Sequence, residues 1–213
     1  MPQLRITEIF YSLQGESRSV GFPTVFVRLT GCPLRCHYCD TSYAFKGGNW
    51  MTEQGVLDAV AEYGAHYVTV TGGEPLAQKA VLPLMSKLCD QGYEVSLETS
   101  GSMPLEGVDP RVIVVMDIKT PASGEVEKNR WSNLTRLSAK DQVKFVLSDR
   151  DDYNWAKDQL QQRPQLSQAE ILFSPVQGQL APSQLADWIV QDKLSVRFQL
   201  QLHKILWGDE PGR

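Results

Sequence analysis

Long apolar runs, a surplus of positive charge and abundant cysteine are all missing from this sequence of 213 residues. Its apolar runs fall well short of the ~18 residues that a membrane-spanning helix needs, so we expect no membrane association. The 21 Lys and Arg residues are outnumbered by 25 Asp and Glu residues, which argues against a broad nucleic-acid-binding surface. The N-terminus lacks the charged-then-apolar pattern of a signal peptide, and we therefore expect a cytoplasmic protein.

Cysteine is scarce, with four residues in the chain, but three of them lie close together at Cys32, Cys36 and Cys39. In a reducing compartment, clustered thiols indicate metal binding or catalysis more often than disulfides. Cys89 stands apart, at a helical spacing from Leu84 and Leu88, which is typical of a small buried apolar side chain. The chemistry of the chain is therefore expected at the group of three.

Short β-branched segments alternate with helical patterns along the whole chain. The predicted strands cover 6–12, 24–30, 67–73, 93–100, 111–117, 142–148, 170–175 and 196–202. The predicted helices cover 52–64, 80–92, 149–163 and 181–192. Strand, helix and strand in succession predict parallel pairing with helical crossovers, and hence an α/β fold in a single domain over 1–213. The polar segment 120–141 is predicted to be a surface excursion with one short helix.

Polar or glycine-rich segments follow several predicted strands. They are TGGEP at 71–75, ETSG at 98–101 and DIK at 117–119. Ligands of parallel α/β folds bind outside the carboxyl ends of the strands. We therefore expect these segments to meet around one opening.

The three clustered cysteines follow a predicted strand in a C-x3-C-x2-C arrangement. Three thiolates can hold three corners of a [4Fe–4S] cluster and leave the fourth iron open to a ligand. The alternative is a structural zinc site completed by His37, His66 or His203. His37 lies inside the cysteine loop, a cramped position from which to complete a tetrahedron.

The TGGEP segment adds a second motif. Gly72 and Gly73 permit unusual backbone angles and a close approach of backbone carbonyls to a ligand, and Glu74 adds acceptors for an ammonium group. A Gly-Gly turn alone is weak evidence. Together and in this order, however, the two motifs resemble the signature of radical S-adenosylmethionine (SAM) enzymes, in which GGE holds the amino group of SAM. The resemblance implies that the open iron binds SAM and that its cleavage yields a 5′-deoxyadenosyl radical.

The segments SLQGES (12–17), FVRLTGCPLRCHYCDT (26–41), TGGEP, ETSG and QLHK (201–204) together resemble the 7-carboxy-7-deazaguanine synthase family. The resemblance covers nearly the whole chain. It implies an abbreviated, modified TIM-type β/α barrel and a homodimer. It also implies a radical SAM lyase that converts 6-carboxy-5,6,7,8-tetrahydropterin to 7-carboxy-7-deazaguanine with loss of ammonia, in the biosynthesis of queuosine and related deazapurines. The implied cofactors are a [4Fe–4S] cluster, SAM and Mg²⁺, and the implied electron donor is a flavodoxin or ferredoxin.

The resemblance also assigns residues to the pterin and to Mg²⁺. Arg28 is a charge in an apolar strand, which suits a pair with the substrate carboxylate, although its head group could also reach solvent. Thr41 is implied as the Mg²⁺ ligand, beside a cluster held by the three cysteines. The remaining substrate residues are Leu13, Gln14, Gly15, Glu16, Thr99 and, at the chain terminus, Arg213. Without the family, the segment 13–16 would be read as a plain loop.

Around SAM, the resemblance implies contacts from the cysteine loop, the strand ends and the C-terminal segment. The residues are Tyr38, Gly72, Gly73, Glu74, Gly101, Asp117, Lys119, Gln201 and His203. The segment 117–119 departs from the family pattern, since some relatives have Ser-Pro-Lys there. His203 alone would be read as a structural histidine.

Two other functions compete with this one. An activase that makes a glycyl radical on a partner protein would also be short and carry C-x3-C-x2-C, but SLQGE and Thr41 argue against it because an activase holds no pterin. A non-catalytic zinc protein would be colourless, whereas a [4Fe–4S] protein is brown.

Overall fold

The computed structural model describes residues 3–208, 210 and 212. Its centre is a nine-stranded sheet in the order β3-β1-β2-β4-β5-β6-β7-β8-β9. Strand β1 pairs antiparallel with both β2 and β3. All other neighbouring strands, from the β2–β4 pair to the β8–β9 pair, are parallel. The strands are β1 (Gln3–Leu13), β2 (Pro23–Leu29), β3 (Asn49–Thr52), β4 (Tyr67–Gly72), β5 (Glu94–Thr99), β6 (Ile113–Ile118), β7 (Gln142–Leu147), β8 (Glu170–Pro175) and β9 (Arg197–Phe198).

Helices connect many of the parallel strands. They are α1 (Glu53–Ala61), α2 (Val81–Asp90), α3 (Arg150–Gln162), α4 (Pro182–Gln191) and α5 (Leu202–Trp207). The Thr52 side chain accepts a hydrogen bond from Gly55 N and caps the N-terminus of α1. None of the helices in the described part of the chain is long and apolar enough to cross a membrane.

Most predicted elements are confirmed within a few residues, but the C-terminal end is different. The predicted strand 196–202 forms a ladder only at Arg197–Phe198, and Leu202–Trp207 is helical. The short edge strand Asn49–Thr52 was not predicted, since its exposed and half-buried residues give no apolar pattern. The chain after the shortened last strand instead forms α5, which contacts the loop after β1 through a hydrogen bond from Leu202 N to the carbonyl of Gly15.

The connections in the middle of the sheet lack α-helices. A loop without a helix, residues 100–112, joins β5 to β6. The connection from β6 to β7 contains three 3-10 helices, Pro121–Ser123, Val126–Lys128 and Trp131–Arg136. The segment 120–141 is therefore not merely a surface excursion, since Asn133 and Leu134 are buried. Asn133 donates to the carbonyls of Gly101 and Met103 and so ties this crossover to the loop after β5.

The two faces of the parallel strands differ in composition. One face carries a continuous apolar core shared with the helices, including Val70, Leu97, Met116 and Phe145. The other face carries polar and charged residues and lines a cavity, together with side chains from β1 and α5. Strands β1, β2, β4, β5, β6 and β7 contribute to that cavity, as expected for a partial β/α barrel.

Candidate active site

One cavity lies at the carboxyl ends of the parallel strands, and it contains most of the predicted site residues. Those that line it are Leu13, Gln14, Gly15, Glu16, Arg28, Cys32, Cys36, Tyr38, Cys39, Thr41, Gly72, Gly73, Thr99, Asp117, Lys119, Gln201 and His203. Glu74 and Gly101 are not part of its lining. Arg213 lies outside the described residues. The strand-end segments therefore meet at one opening, as the sequence predicts.

The cysteine loop packs directly on the Gly72-Gly73 turn. Glu74 N donates to the carbonyl of Gly31 at 2.8 Å, and Gly73 N donates to the carbonyl of Leu29 at 3.2 Å. A Cβ atom on Gly73 would lie 2.3 Å from the carbonyl oxygen of Gly31, so this position requires glycine. The two motifs that are far apart in sequence thus form one unit.

The three clustered cysteines are free thiols, and all three line the cavity. Burial raises the pKa of Cys36 to about 11 and also raises the pKa of Cys32. Without a metal these two thiols are neutral at pH 7, whereas iron would hold them as thiolates.

A single zinc ion fits this loop poorly. No group of three His, Cys, Asp or Glu side chains within residues 3–208 converges on one metal-ion position. His37 lies with its Nδ1 3.1 Å from the carbonyl of Ala122, and His66 lies beside Glu94 and Tyr67 at the start of β4. In a cubane cluster each thiolate binds a different iron, so the three thiols need not converge on one point, and all three line the cavity.

The side chain of Glu74 lies outside the cavity lining, whereas the resemblance implied that it contacts SAM. Its side chain is fully buried. Its carboxylate accepts hydrogen bonds from Leu76 N, Thr99 Oγ1 and both the backbone N and Oγ of Ser100. The carboxylate therefore fixes the end of β4 to the end of β5. Gly101, at φ 70°, packs against Met116 behind the cavity wall.

The floor of the cavity is a network of buried charges. Lys144, on β7, donates to Glu16 at 2.6 Å and lies 3.8 Å from Asp117, which also pairs with Lys119 at 3.0 Å. Burial opposes the charged form of Lys144, but the neighbouring carboxylates of Glu16, Asp117 and Glu98 outweigh it and raise its pKa. Burial likewise opposes ionisation of Glu16, and the charge of Lys144 outweighs it and lowers the pKa of Glu16.

Asp117 retains one unused acceptor. Its Oδ2 pairs with Lys119, whereas its Oδ1 is buried and has no hydrogen-bond partner among the described residues. Buried acceptors in native proteins almost always find a donor, so a donor group of a molecule bound in the cavity would satisfy this atom.

Two further ion pairs stand on the cavity wall. Arg28 Nε donates to Glu8 Oε1 at 2.7 Å, and the hydroxyl of Tyr43 donates to the same oxygen at 2.8 Å. Thr41 donates to Asp40 at 2.8 Å, and Asp40 pairs with Lys204 of α5 at 2.9 Å. Burial alone would raise the pKa of Asp40, but Lys204 and the Thr41 hydroxyl hold it well below its usual range.

The loop between β1 and β2 lies across the barrel and meets α5. Leu202 N donates to the carbonyl of Gly15 at 2.9 Å, and Gln201 donates to Glu16 at 2.8 Å. A Cβ atom on Gly15 would lie 2.1 Å from Nδ1 of His203, so only glycine allows this approach. Burial, counteracted in part by Glu16, lowers the pKa of His203.

Comparisons with known proteins agree with this arrangement. Residues 26–113 match the family model of the radical SAM superfamily. The 7-carboxy-7-deazaguanine synthase of Chlorobaculum tepidum is 46% identical over 97% of this chain and 96% of its own length. That of Koribacter versatilis is 42% identical over 97% of this chain and 98% of its own length. The chain belongs to the 7-carboxy-7-deazaguanine synthase family. The crystal structure of QueE from Escherichia coli, at 24% identity, has a TM-score of 0.79 over 94% of this chain and 95% of that one, and it supports the fold.

Membership of the 7-carboxy-7-deazaguanine synthase family and of the radical SAM superfamily implies a [4Fe–4S] cluster and SAM, and the site fits both. Three free thiols line the cavity, Gly72 and Gly73 line it as well, and Asp117 offers an unused acceptor. The activase and zinc-protein alternatives are not favoured.

Several residues of the cavity were not predicted from the sequence. They are Asp40, Tyr43, Thr71, Lys144 and Lys204, and Glu98 was noticed without a role. Glu8, which pairs with Arg28 but does not line the cavity, was also missed. The signal that singled out Arg28, one charge in an otherwise apolar strand, also applies to Lys144 in QVKFVL. Glu8 lies within the predicted strand 6–12 and carries the same signal, whereas Asp40 lies outside the predicted strands.

Proposed function

We propose that this protein converts 6-carboxy-5,6,7,8-tetrahydropterin to 7-carboxy-7-deazaguanine with release of ammonia, as a step toward queuosine and related 7-deazapurines. The observation that carries the proposal is the 46% identity over almost the full length of both chains. The cavity supports it, since three thiols and several charged groups suited to a small polar acid line the same space.

Cys32, Cys36 and Cys39 would hold the cluster, with SAM on the remaining iron. When bound, these cofactors supply a 5′-deoxyadenosyl radical that abstracts hydrogen from the substrate. Tyr38, Gly72, Gly73, Asp117, Lys119, Gln201 and His203 would form the SAM side of the cavity. Glu74 would act indirectly, because its carboxylate fixes the residues after the glycine turn to the end of β5.

The pterin would lie on the charged floor. The ionised Glu16 would accept N–H groups of an aminopyrimidinone, and Gln14 would offer its Oε1 as a further acceptor, because both N–H groups of its amide already donate to Thr69 and Glu98. Both side chains are nearly fully buried, which fixes their orientation before substrate arrives. Leu13, Gly15 and Thr99 would complete the contact surface.

The substrate carboxylate would meet Arg28 and a Mg²⁺ ion on Thr41. Glu8 already fixes the Arg28 side chain through Nε, which orients the guanidinium. Thr41 and Asp40 present hard oxygen atoms, and Mg²⁺ prefers a few such ligands completed by water and substrate. Dimerisation, a flavodoxin or ferredoxin as the electron donor, and a single domain over 1–213 are further parts of this proposal.

The test is anaerobic reconstitution with iron and sulfide, followed by incubation with SAM, dithionite, Mg²⁺ and 6-carboxytetrahydropterin. Mass spectrometry should detect 7-carboxy-7-deazaguanine, with one ammonia released for each product molecule. A reconstituted protein that cleaves SAM but leaves the pterin intact would contradict the proposed substrate. A protein that binds zinc and no iron would contradict the radical chemistry itself.

A further inference from the structure

Two carboxyl groups on the cavity floor have different surroundings. Glu16 is paired with Lys144 at 2.6 Å. Glu98, on β5, contacts neutral groups: Gln14 Nε2 donates to its Oε1 at 3.2 Å, and Thr71 Oγ1 lies 3.1 Å from its Oε2. A threonine hydroxyl can donate or accept, so this contact suits a carboxyl group in either protonation state.

The charges that face Glu98 come from four elements. Glu16 approaches from the loop after β1, Arg28 from β2, Asp117 from β6 and Lys144 from β7. The two cations are already paired, Arg28 with Glu8 and Lys144 with Glu16. Burial, followed by repulsion from Glu16, therefore raises the pKa of Glu98, and the two cations offset this only in part.

A pair of carboxyl groups whose surroundings favour opposite protonation states is a common feature of acid–base catalysis. Here the charged member, Glu16, is locked by Lys144 and Gln201 and can only accept hydrogen bonds. The other member, Glu98, lines the same cavity and has no cation of its own among the described residues. It is therefore suited to carry a proton rather than a charge.

We propose that Glu98 is a catalytic acid of this enzyme, which gives its carboxyl proton to the amine that leaves the substrate. The inference rests on the proposed function, because that reaction must expel ammonia, and an amine is a poor leaving group until it is protonated. The C–N bond breaks with its electron pair on nitrogen, and the proton of Glu98 completes ammonia. The adjacent carbon then loses a proton as the ring double bond forms, and the Glu98 carboxylate takes it up. The step is redox-neutral and regenerates the acid.

The first test compares Glu98→Gln with the wild type in the reconstituted enzyme. Glutamine keeps the size and hydrogen bonds of the side chain but has no acidic proton. We expect kcat for product to fall by about 100-fold or more, with the KM for the pterin little changed. Ser96→Ala is the matched control, since Ser96 lies on the same strand and outside the active-site cavity. Glu98→Asp should recover part of the lost rate.

The second test needs no cofactor. Infrared difference spectra of the protein labelled with ¹³C-glutamate should show a protonated carboxyl band near neutral pH that is absent from Glu98→Gln. Full turnover by Glu98→Gln, or the absence of that band from the wild type, would overturn the role of Glu98. Failure of the proposed function looks different, because the wild type itself would then form no product.

Discussion

Strand β7 faces two very different environments. Val143, Phe145 and Leu147 lie on the face that joins the apolar core, where Phe145 contacts Trp155 of α3. Lys144 and Val146 lie on the face that lines the cavity. Strand β5 repeats the pattern, with Leu97 in the core and Glu98 in the cavity. The outer face stabilises the fold through apolar burial, whereas the inner face carries charges whose burial opposes folding and which serve the chemistry.

The largest effect is expected at the cysteine loop. Cys36→Ala should abolish turnover, because two thiolates hold a cubane cluster poorly, while the fold is retained. Iron content after reconstitution and product formation under dithionite measure this. Cys89→Ala on α2 is the matched control and should keep both. Normal turnover by Cys36→Ala would remove this thiol from the cluster.

Removing one charge from the buried network on the inner face should lower the free energy of unfolding. Lys144→Met leaves Glu16 buried without its partner, and loss of one member of a buried pair typically costs about 3–5 kcal/mol. Urea unfolding of the metal-free protein at pH 7 measures the change. The double variant with Glu16→Gln should recover most of it, and an equally unstable double variant would point to a packing role for Lys144.

Core packing on the outer face gives the next comparison. Leu97→Ala should lower the free energy of unfolding by about 2–5 kcal/mol, since Leu97 is fully buried. Ser96→Ala, one position earlier and on the opposite face, should cost only about 1 kcal/mol, through its hydrogen bond with Thr69. Similar losses in the two variants would contradict the contrast between the faces.

A smaller, specific effect is expected at the proposed Mg²⁺ position. Thr41→Val keeps the shape of the side chain and removes the hydroxyl that contacts Asp40. Product formation should then respond less to added Mg²⁺, while cleavage of SAM in the absence of pterin stays the same. An unchanged Mg²⁺ titration would exclude Thr41 as a ligand.

The smallest effect concerns stability at alkaline pH. The pKa of Glu98 is raised above its ordinary value of 4.5, so the folded protein binds its proton more tightly than the unfolded chain does. Stability contributed by this group is present below pH 4.5 and is lost as pH rises toward the folded-state pKa. Glu98→Gln should therefore be more stable than the wild type at pH 8 and no more stable at pH 4. Thermal unfolding at both pH values measures this, and equal differences would contradict a raised pKa.

Much of this architecture could be read from the sequence, because β-branched strands and capped helices follow local patterns. The cysteine loop and the glycine turn were also predictable, since their spacing reflects the chemistry they perform. Helix α5 was not predictable, because Leu202 and the residues before it alternate like those of a strand. Its position next to the site depends on a contact with the loop at Gly15, which is distant in sequence. Similarly, the role of Lys144 depends on Glu16, which is 128 residues away in sequence.

The contact between the loop after β1 and the C-terminal segment can form only late in synthesis. Gln199 exchanges two hydrogen bonds with the backbone of Ser17, across 182 residues. A ribosome releases the N-terminal segment first, so residues 14–17 wait for almost the whole chain before these bonds can form. The loop after β1, which carries Gln14 and Glu16, therefore stays incomplete until the C-terminal segment has left the ribosome.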